Sequence, residues 1–198
     1  MKAKKILFSI GAVAFALSPV FASAAVDTKS TTINATVAPV ISMTTSTTVA
    51  IGVTPTLAGS ASSASDTVTV ATNNSTGYNL KLSNTDTTLT LLGPSAATIA
   101  AHTGTFAAPT TLANNSWGYR IDNAGTFGAG ATVVETNVTS LAGTWSGLVS
   151  SASPTTVKTT AGVAAGDVTT VWYGVKADTT KVNGVYTDSV TYTATTNP

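Results

Sequence analysis

The stretch that decides the fold is Thr169-Thr170-Val171-Trp172-Tyr173-Gly174-Val175-Lys176. Its large apolar side chains at Val171, Tyr173 and Val175 occupy every second position. This two-residue period predicts a β-strand with one buried face, because successive side chains of a strand point to opposite faces. Trp172 then belongs to the other face, where we expect it to be exposed or covered by a loop.

The same period recurs along the rest of the chain, and no segment shows a convincing helical stripe. After a turn at 178–184, residues 185–195 alternate again and predict the last strand. Further strands are predicted at 31–37, 47–53, 66–71, 78–82, 88–92, 117–121, 132–138 and 155–160.

The clearest neighbouring pair is 66–71 and 78–82, joined by the turn-forming residues Asn73–Gly77. We predict that this pair forms a hairpin. The small residues of 57–65 predict a loop, and residues 93–115 predict an irregular excursion with one short strand or a turn of helix.

These patterns predict an all-β fold of about nine or ten strands, with little or no helix. The strand spacing favours an antiparallel β-sandwich of the Ig-like or Greek-key type. A closed barrel is the alternative, because periodicity does not separate the two.

Residues 1–24 have the pattern of a secretory signal peptide. Three lysines precede an apolar run, and Ala22-Ser23-Ala24 supplies the small residues of a cleavage site. We expect cleavage after Ala24, with Ala25 as the alternative, and a single secreted domain at 25–198. The apolar run of about twelve residues is shorter than the roughly 20 needed to span a bilayer. We therefore expect a protein at the cell surface or outside the cell, with no membrane span after cleavage.

After residue 24, six basic residues face eight acidic ones, a net charge of −2. This balance gives no basic surface for nucleic acid. Polarity comes instead from hydroxyl groups, because 41 of the 198 residues are threonine. Threonine favours strands and presents a polar face.

The residue inventory argues against an enzyme. The chain has no cysteine, one histidine (His102) and one glutamate (Glu135), so thiol chemistry is excluded and a catalytic triad has one candidate base. We predict that His102 is a solvated loop residue, and we expect no cofactor and no metal. The aspartates predicted to serve as turn residues are Asp27, Asp66, Asp122, Asp167 and Asp178.

The three tryptophans are the candidate binding residues. Trp117, Trp145 and Trp172 are candidates for stacking on sugar rings or contacting a partner. The alternative is that they fill the core or lie under loops.

Two stretches resemble known families. Gly184–Ala194 resembles the closing strand of the WxL-domain cell-wall proteins and of the spore coat protein U type of fimbrial subunits. Ser30–Pro39 resembles the first mature strand of the second group, and Asn73–Leu82 fits the layout of both. The resemblance implies a β-sandwich in an extracellular setting, and it assigns no binding residue.

Two functions follow from these observations. The first is a non-catalytic subunit of a surface layer, coat or fimbria, whose partners are copies of itself or other surface proteins. In one version Ile33, Ala35 and Val37 belong to a strand donated to a neighbour; in the other, 31–37 folds within its own chain. The alternative function is a module that binds cell-wall polysaccharide or a host surface through exposed aromatic residues.

Overall fold

The computed structural model describes residues 25–128 and 133–198. The chain divides into two compact units, Met1–Thr36 and Val37–Pro198. In the first unit, the described residues 25–36 are exposed and belong to no helix or strand. The predicted signal peptide, 1–24, lies outside the described residues.

The second unit is built from β-strands. In the part that the structure describes, its only other regular element is a 3₁₀ turn at Pro94–Ala96. The strands are β1 (Ile41–Thr44), β2 (Ser60–Thr72), β3 (Tyr78–Asn84), β4 (Thr90–Leu92), β5 (Thr98–Ala101), β6 (Ser116–Arg120), β7 (Thr155–Thr159), β8 (Ala164–Ala177) and β9 (Val190–Thr196). The predicted all-β fold is confirmed. No helix in the described ranges is long and apolar enough to cross a membrane.

The strands form two sheets. One has six strands in the order β1-β2-β8-β6-β5-β4 and is curled into a half-barrel, and the other has three in the order β7-β3-β9. The long pair β2 and β8 forms the middle of the larger sheet, with Ser60 opposite Ala177 and Thr72 opposite Ala164. All of the named strand pairs but one are antiparallel, as predicted. β5 and β6 run parallel, because the long connection between them returns the chain to the same end of the sheet.

The main apolar cluster contains residues from both sheets. The alternating side chains at the centre of β8, β2 and β3 are buried in it, as the two-residue period predicted. These residues are Val171, Tyr173, Val68, Val70, Tyr78, Leu80 and Leu82. Burial of such side chains stabilises the fold by roughly 1.5–3 kcal/mol each.

A second, smaller cluster contains Trp172, on the strand face opposite Val171 and Tyr173. There Trp172 lies with Leu112, Leu141 and Trp145, which come from loops. Residues of 102–115 and 138–148 therefore cover part of the six-stranded sheet. Trp172 was expected to be either exposed or covered by a loop, and the structure shows that loops cover it.

The predicted hairpin between 66–71 and 78–82 is wrong. The two segments lie in different sheets, because β2 pairs with β1 and β8 while β3 pairs with β7 and β9. The turn between them crosses from one sheet to the other. Gly77 adopts φ +84° there, and a Cβ on it would lie 2.3 Å from the carbonyl oxygen of Thr160. Only glycine fits both the backbone angle and the space.

Two predictions about irregular segments are also corrected. Residues 60–65 are not a loop but the first half of β2. Their small side chains allow 135–138 to pack on them, with the amides of Glu135 and Asn137 donating to the hydroxyls of Ser63 and Ser62. The described part of the predicted strand at 132–138, residues 133–138, forms only an isolated bridge between Val138 and Ala61.

The predicted strands at 31–37 and 47–53 are absent from the described secondary structure. The second segment keeps its alternation, with Val49, Ile51 and Val53 packed against the main cluster. Side chains bind the amides at its two ends: Asp66 accepts from Ser46 and Asn137 accepts from Thr54. The last strand also starts later than predicted, at Val190.

Candidate functional site

The N-terminal segment 31–37 is exposed along its whole length. Ile33 is 88% exposed and Val37 is 82% exposed, and Ala35 between them is also exposed. No hydrogen bond joins any residue of the segment to another described residue. Its backbone donors and acceptors and its apolar side chains are thus available to another strand.

The residues directly after this segment are hydrogen-bonded to Thr72 and Asn73. Asn73 holds Ala38 and Val40, because its Oδ1 accepts from the Val40 amide at 2.7 Å and its Nδ2 donates to the Ala38 carbonyl at 3.0 Å. The hydroxyl of Thr72 donates to the Val40 carbonyl at 2.7 Å. Ala38–Val40 is therefore attached to the end of β2, next to the start of β1.

A cleft of about 670 Å³ lies between β7, the first half of β8 and the loop 121–125. It exists because neighbouring strands differ in length. β6 ends at Arg120, opposite Trp172, whereas β8 extends back to Ala164. On the β6 side, residues 164–171 of β8 therefore have no neighbouring strand among the described residues.

One side chain crosses from β7 to β8 at the cleft. The Lys158 ammonium donates to Asp167 Oδ1 at 2.7 Å, and it also reaches the Val168 carbonyl and the Thr169 hydroxyl at 3.3 Å. The Tyr78 hydroxyl donates to Asp167 Oδ2 at 2.8 Å. Burial acts to raise the pKa of Asp167, but the hydrogen bonds from Lys158 and Tyr78 outweigh it and lower that pKa below its ordinary value. Asp167 therefore joins β8 to β7 and β3 through its carboxylate. It is not the turn residue that its sequence context predicts.

The three candidate tryptophans are not brought together on an exposed surface. Trp117 is 4% exposed, Trp145 is 0% and Trp172 is 9%. The indole nitrogens of Trp117 and Trp145 donate to the carbonyls of Leu89 and Ala142. Trp172 alone lines the cleft. These positions match the alternative that the tryptophans fill the core or lie under loops.

His102 is buried, at 6% exposure, so the prediction of a solvated residue is wrong. Its Nδ1 accepts from the Ala113 amide at 3.3 Å and its Nε2 lies 2.9 Å from the Thr110 hydroxyl. Burial lowers the pKa of His102, which favours the neutral ring. Because Nδ1 accepts a hydrogen bond, the proton of the neutral ring is on Nε2. His102 is therefore hydrogen-bonded to Thr110 and Ala113 within the loop that covers the sheet.

Asp66 is also placed differently from its prediction. It lies within β2 at 3% exposure, where it accepts from the hydroxyl of Thr45 at 2.5 Å and the amide of Ser46 at 3.0 Å. Asp178 does serve a turn, since it accepts from the amide of Thr180. Among the residues described, no group of three or more acidic or histidine side chains is placed to hold a metal ion.

Comparison of the chain with protein-family models, with curated protein sequences and with solved structures found no match. The function is therefore inferred from the geometry of the chain itself. Two features of the described residues stand out: segment 31–37 has no partner among them, and neither does the edge of β8 at the cleft.

Proposed function

We propose that this protein is a non-catalytic structural subunit of a bacterial surface layer, coat or fimbria, and that it assembles with copies of itself outside the cytoplasm. The observation that carries the proposal is the exposed segment 31–37. Its apolar residues Ile33, Ala35 and Val37 occupy every second position, and none of them is covered.

The free energy for assembly comes from burying this segment in a neighbour. Fully burying a side chain of the size of valine or isoleucine stabilises a complex by roughly 1.5–3 kcal/mol. A donated strand also pairs its backbone groups along the edge of a sheet while alternate side chains enter pockets. Segment 31–37 carries no charge, so no ionised group needs to be desolvated.

Further features favour a structural role over a glycan-binding module. The tryptophans that would stack on sugar rings are buried, and the single histidine is held inside a loop by Thr110 and Ala113. The signal-peptide pattern at 1–24 supports an extracellular setting, as does the resemblance of 184–194 to closing strands of bacterial surface β-sandwiches. A sandwich of the two sheets is the architecture that we propose for the subunit.

Deleting residues 26–36 tests the proposal. This deletion stops at the boundary between the two units and leaves the attachment of Ala38 and Val40 to Asn73 intact. We expect the secreted wild-type protein to form polymers in electron micrographs and in size measurements, and the deletion variant to remain monomeric with unchanged β-sheet circular dichroism. Polymers of unchanged length in the folded deletion variant would contradict the proposal.

A further inference from the structure

Among the described residues, the six-stranded sheet has an empty strand position beside β8. β8 has 14 residues and β6 has five, and the pairing between them covers only Trp172–Lys176 of β8. The preceding eight residues, 164–171, form an edge of about 26 Å at roughly 3.3 Å per residue. The cleft described above lies along the later part of this edge, at Val168, Thr169 and Thr170.

The pairing of β6 shows which backbone groups of β8 point toward the empty position. Antiparallel strands exchange hydrogen bonds with one neighbour at every second residue. The N–H and C=O of Tyr119 form hydrogen bonds with Ser146, on the side away from β8. The N–H and C=O of the next residue, Arg120, therefore point toward β8, where Arg120 lies opposite Trp172. Trp172 therefore directs its N–H and C=O toward the β6 side.

The same alternation continues past the end of β6. Thr170 and Val168 lie two and four residues before Trp172, and they direct their backbone groups to the same side. No strand meets them there in the described chain, and the ammonium of Lys158 takes the Val168 carbonyl at 3.3 Å. Lys158 thus occupies an acceptor that the amide of an added strand would use.

Part of the cleft lining is apolar. Ile121 and Val157 line the cleft and belong to the main cluster. An added strand at this position would place every second side chain over these residues and the other side chains on the outer face of the sheet. The position therefore fits a neutral strand with an apolar two-residue period.

We infer that this empty position receives residues 31–37 of a second copy as an additional strand of the six-stranded sheet. The inference rests on the proposed function, and it adds the surface of the neighbour that is contacted. Segment 31–37 spans about 23 Å when extended, which fits the edge of about 26 Å. Its residues Ile33, Ala35 and Val37 cover Ile121 and Val157, and its amides replace Lys158 at the Val168 carbonyl.

Disulfide cross-linking between two variants tests the contact. The chain has no cysteine, so each introduced pair reports one contact. The donor variants are Asn34→Cys and Thr36→Cys, on the side of the segment opposite Ile33. The acceptor variants are Val168→Cys and Thr170→Cys, on the outer face of β8. Cβ atoms directly across from each other on neighbouring strands lie about 4.5–5.5 Å apart, so we expect mixed donor and acceptor proteins to form disulfide-linked dimers on oxidation.

Thr193→Cys is the matched control, because Thr193 is an exposed threonine on the outer strand β9. Dimers that form with Thr193→Cys as readily as with the β8 variants contradict the inference. So does an intramolecular disulfide in a monomer that carries both Asn34→Cys and Thr170→Cys. If the 26–36 deletion abolishes polymers but no donor links to β8, the proposed function stands and the location is wrong. If the deletion leaves polymers unchanged, the proposed function itself is wrong.

Discussion

The hydroxyl oxygens of Tyr173 and Tyr192 lie 2.6 Å apart and join the six-stranded sheet to the three-stranded sheet. Burial raises the pKa of both tyrosines, so both stay protonated. The Tyr192 hydroxyl also helps to lower the pKa of Asp66, whose side chain holds the chain after β1 through Thr45 and Ser46. One polar network thus connects β8, β9, β2 and the segment after β1.

The first prediction concerns this network. Tyr192→Phe removes a hydroxyl on which both Tyr173 and Asp66 depend, so we expect the free energy of unfolding to fall by about 1–3 kcal/mol. Urea denaturation measures it. The double variant with Tyr173→Phe should lose less than its two single variants together, because the pair acts as a unit. Strictly additive losses would show that the bond does not couple the sheets.

The second prediction concerns acid. Burial acts to raise the pKa of Asp66, but its hydrogen bonds from Thr45, Ser46 and Tyr192 outweigh it and hold the pKa below the ordinary value of 3.8. As the pH falls, Asp66 therefore binds a proton in the unfolded chain before it does so in the folded protein. The free energy of unfolding falls as the pH drops from about 3.8 through the folded-state pKa of Asp66. Asp66→Asn should be less stable at pH 6 and lose less between pH 4 and 2. The same pH profile in the wild type and in Asp66→Asn would rule out this role of Asp66.

The third prediction concerns His102. Because its pKa is lowered by burial, the unfolded state binds a proton more readily than the folded state does. Stability is therefore full well above the ordinary pKa of 6.5 and declines as the pH falls below it. Protonation of Nδ1 also breaks its bond from the Ala113 amide. We expect the urea midpoint of the wild type to drop between pH 8 and 5.5, and that of His102→Gln to start lower and change less. An equal drop in both proteins would assign the pH dependence to other groups.

The fourth prediction concerns the packing around His102. A Cβ on Gly147 would lie 1.8 Å from the backbone oxygen of His102, whereas Gly162 has nothing within 4 Å of such an atom. Gly147→Ala should destabilise the protein by about 1–3 kcal/mol, in the range of overpacked sites. Gly162→Ala is the control and should leave the thermal midpoint unchanged or slightly higher. Equal midpoints for the two variants would mean that Gly147 does not pack tightly against the backbone of His102.

The two-residue period predicted which side chains are buried but not which strands pair. Val68, Val70 and Leu80 face the core as expected. One partner of β2 is β8, about a hundred residues further along the chain, and no local pattern encodes this pairing. The turn Asn73–Gly77 therefore looked like a hairpin although it links two sheets.

The remaining errors arise where tertiary contacts override local composition. Ser60–Ser65 has the composition of a loop, yet its small side chains form a strand because another segment packs on them. Asp66 and His102 have polar side chains that predict exposure, yet both are buried with hydrogen-bond partners. The edge of β8 was not predictable either, because it depends on where β6 ends.

The most direct test of self-assembly through residues 31–37 is sedimentation velocity over a concentration series, with Ile33→Asp beside Thr32→Asp. Both variants introduce the same charge at neighbouring exposed positions, but only Ile33 belongs to the apolar face of the segment. We predict polymers for the wild type and for Thr32→Asp, and a monomer for Ile33→Asp at every concentration. Polymers of equal size in both variants, or a wild type that stays monomeric throughout, would contradict assembly through this segment.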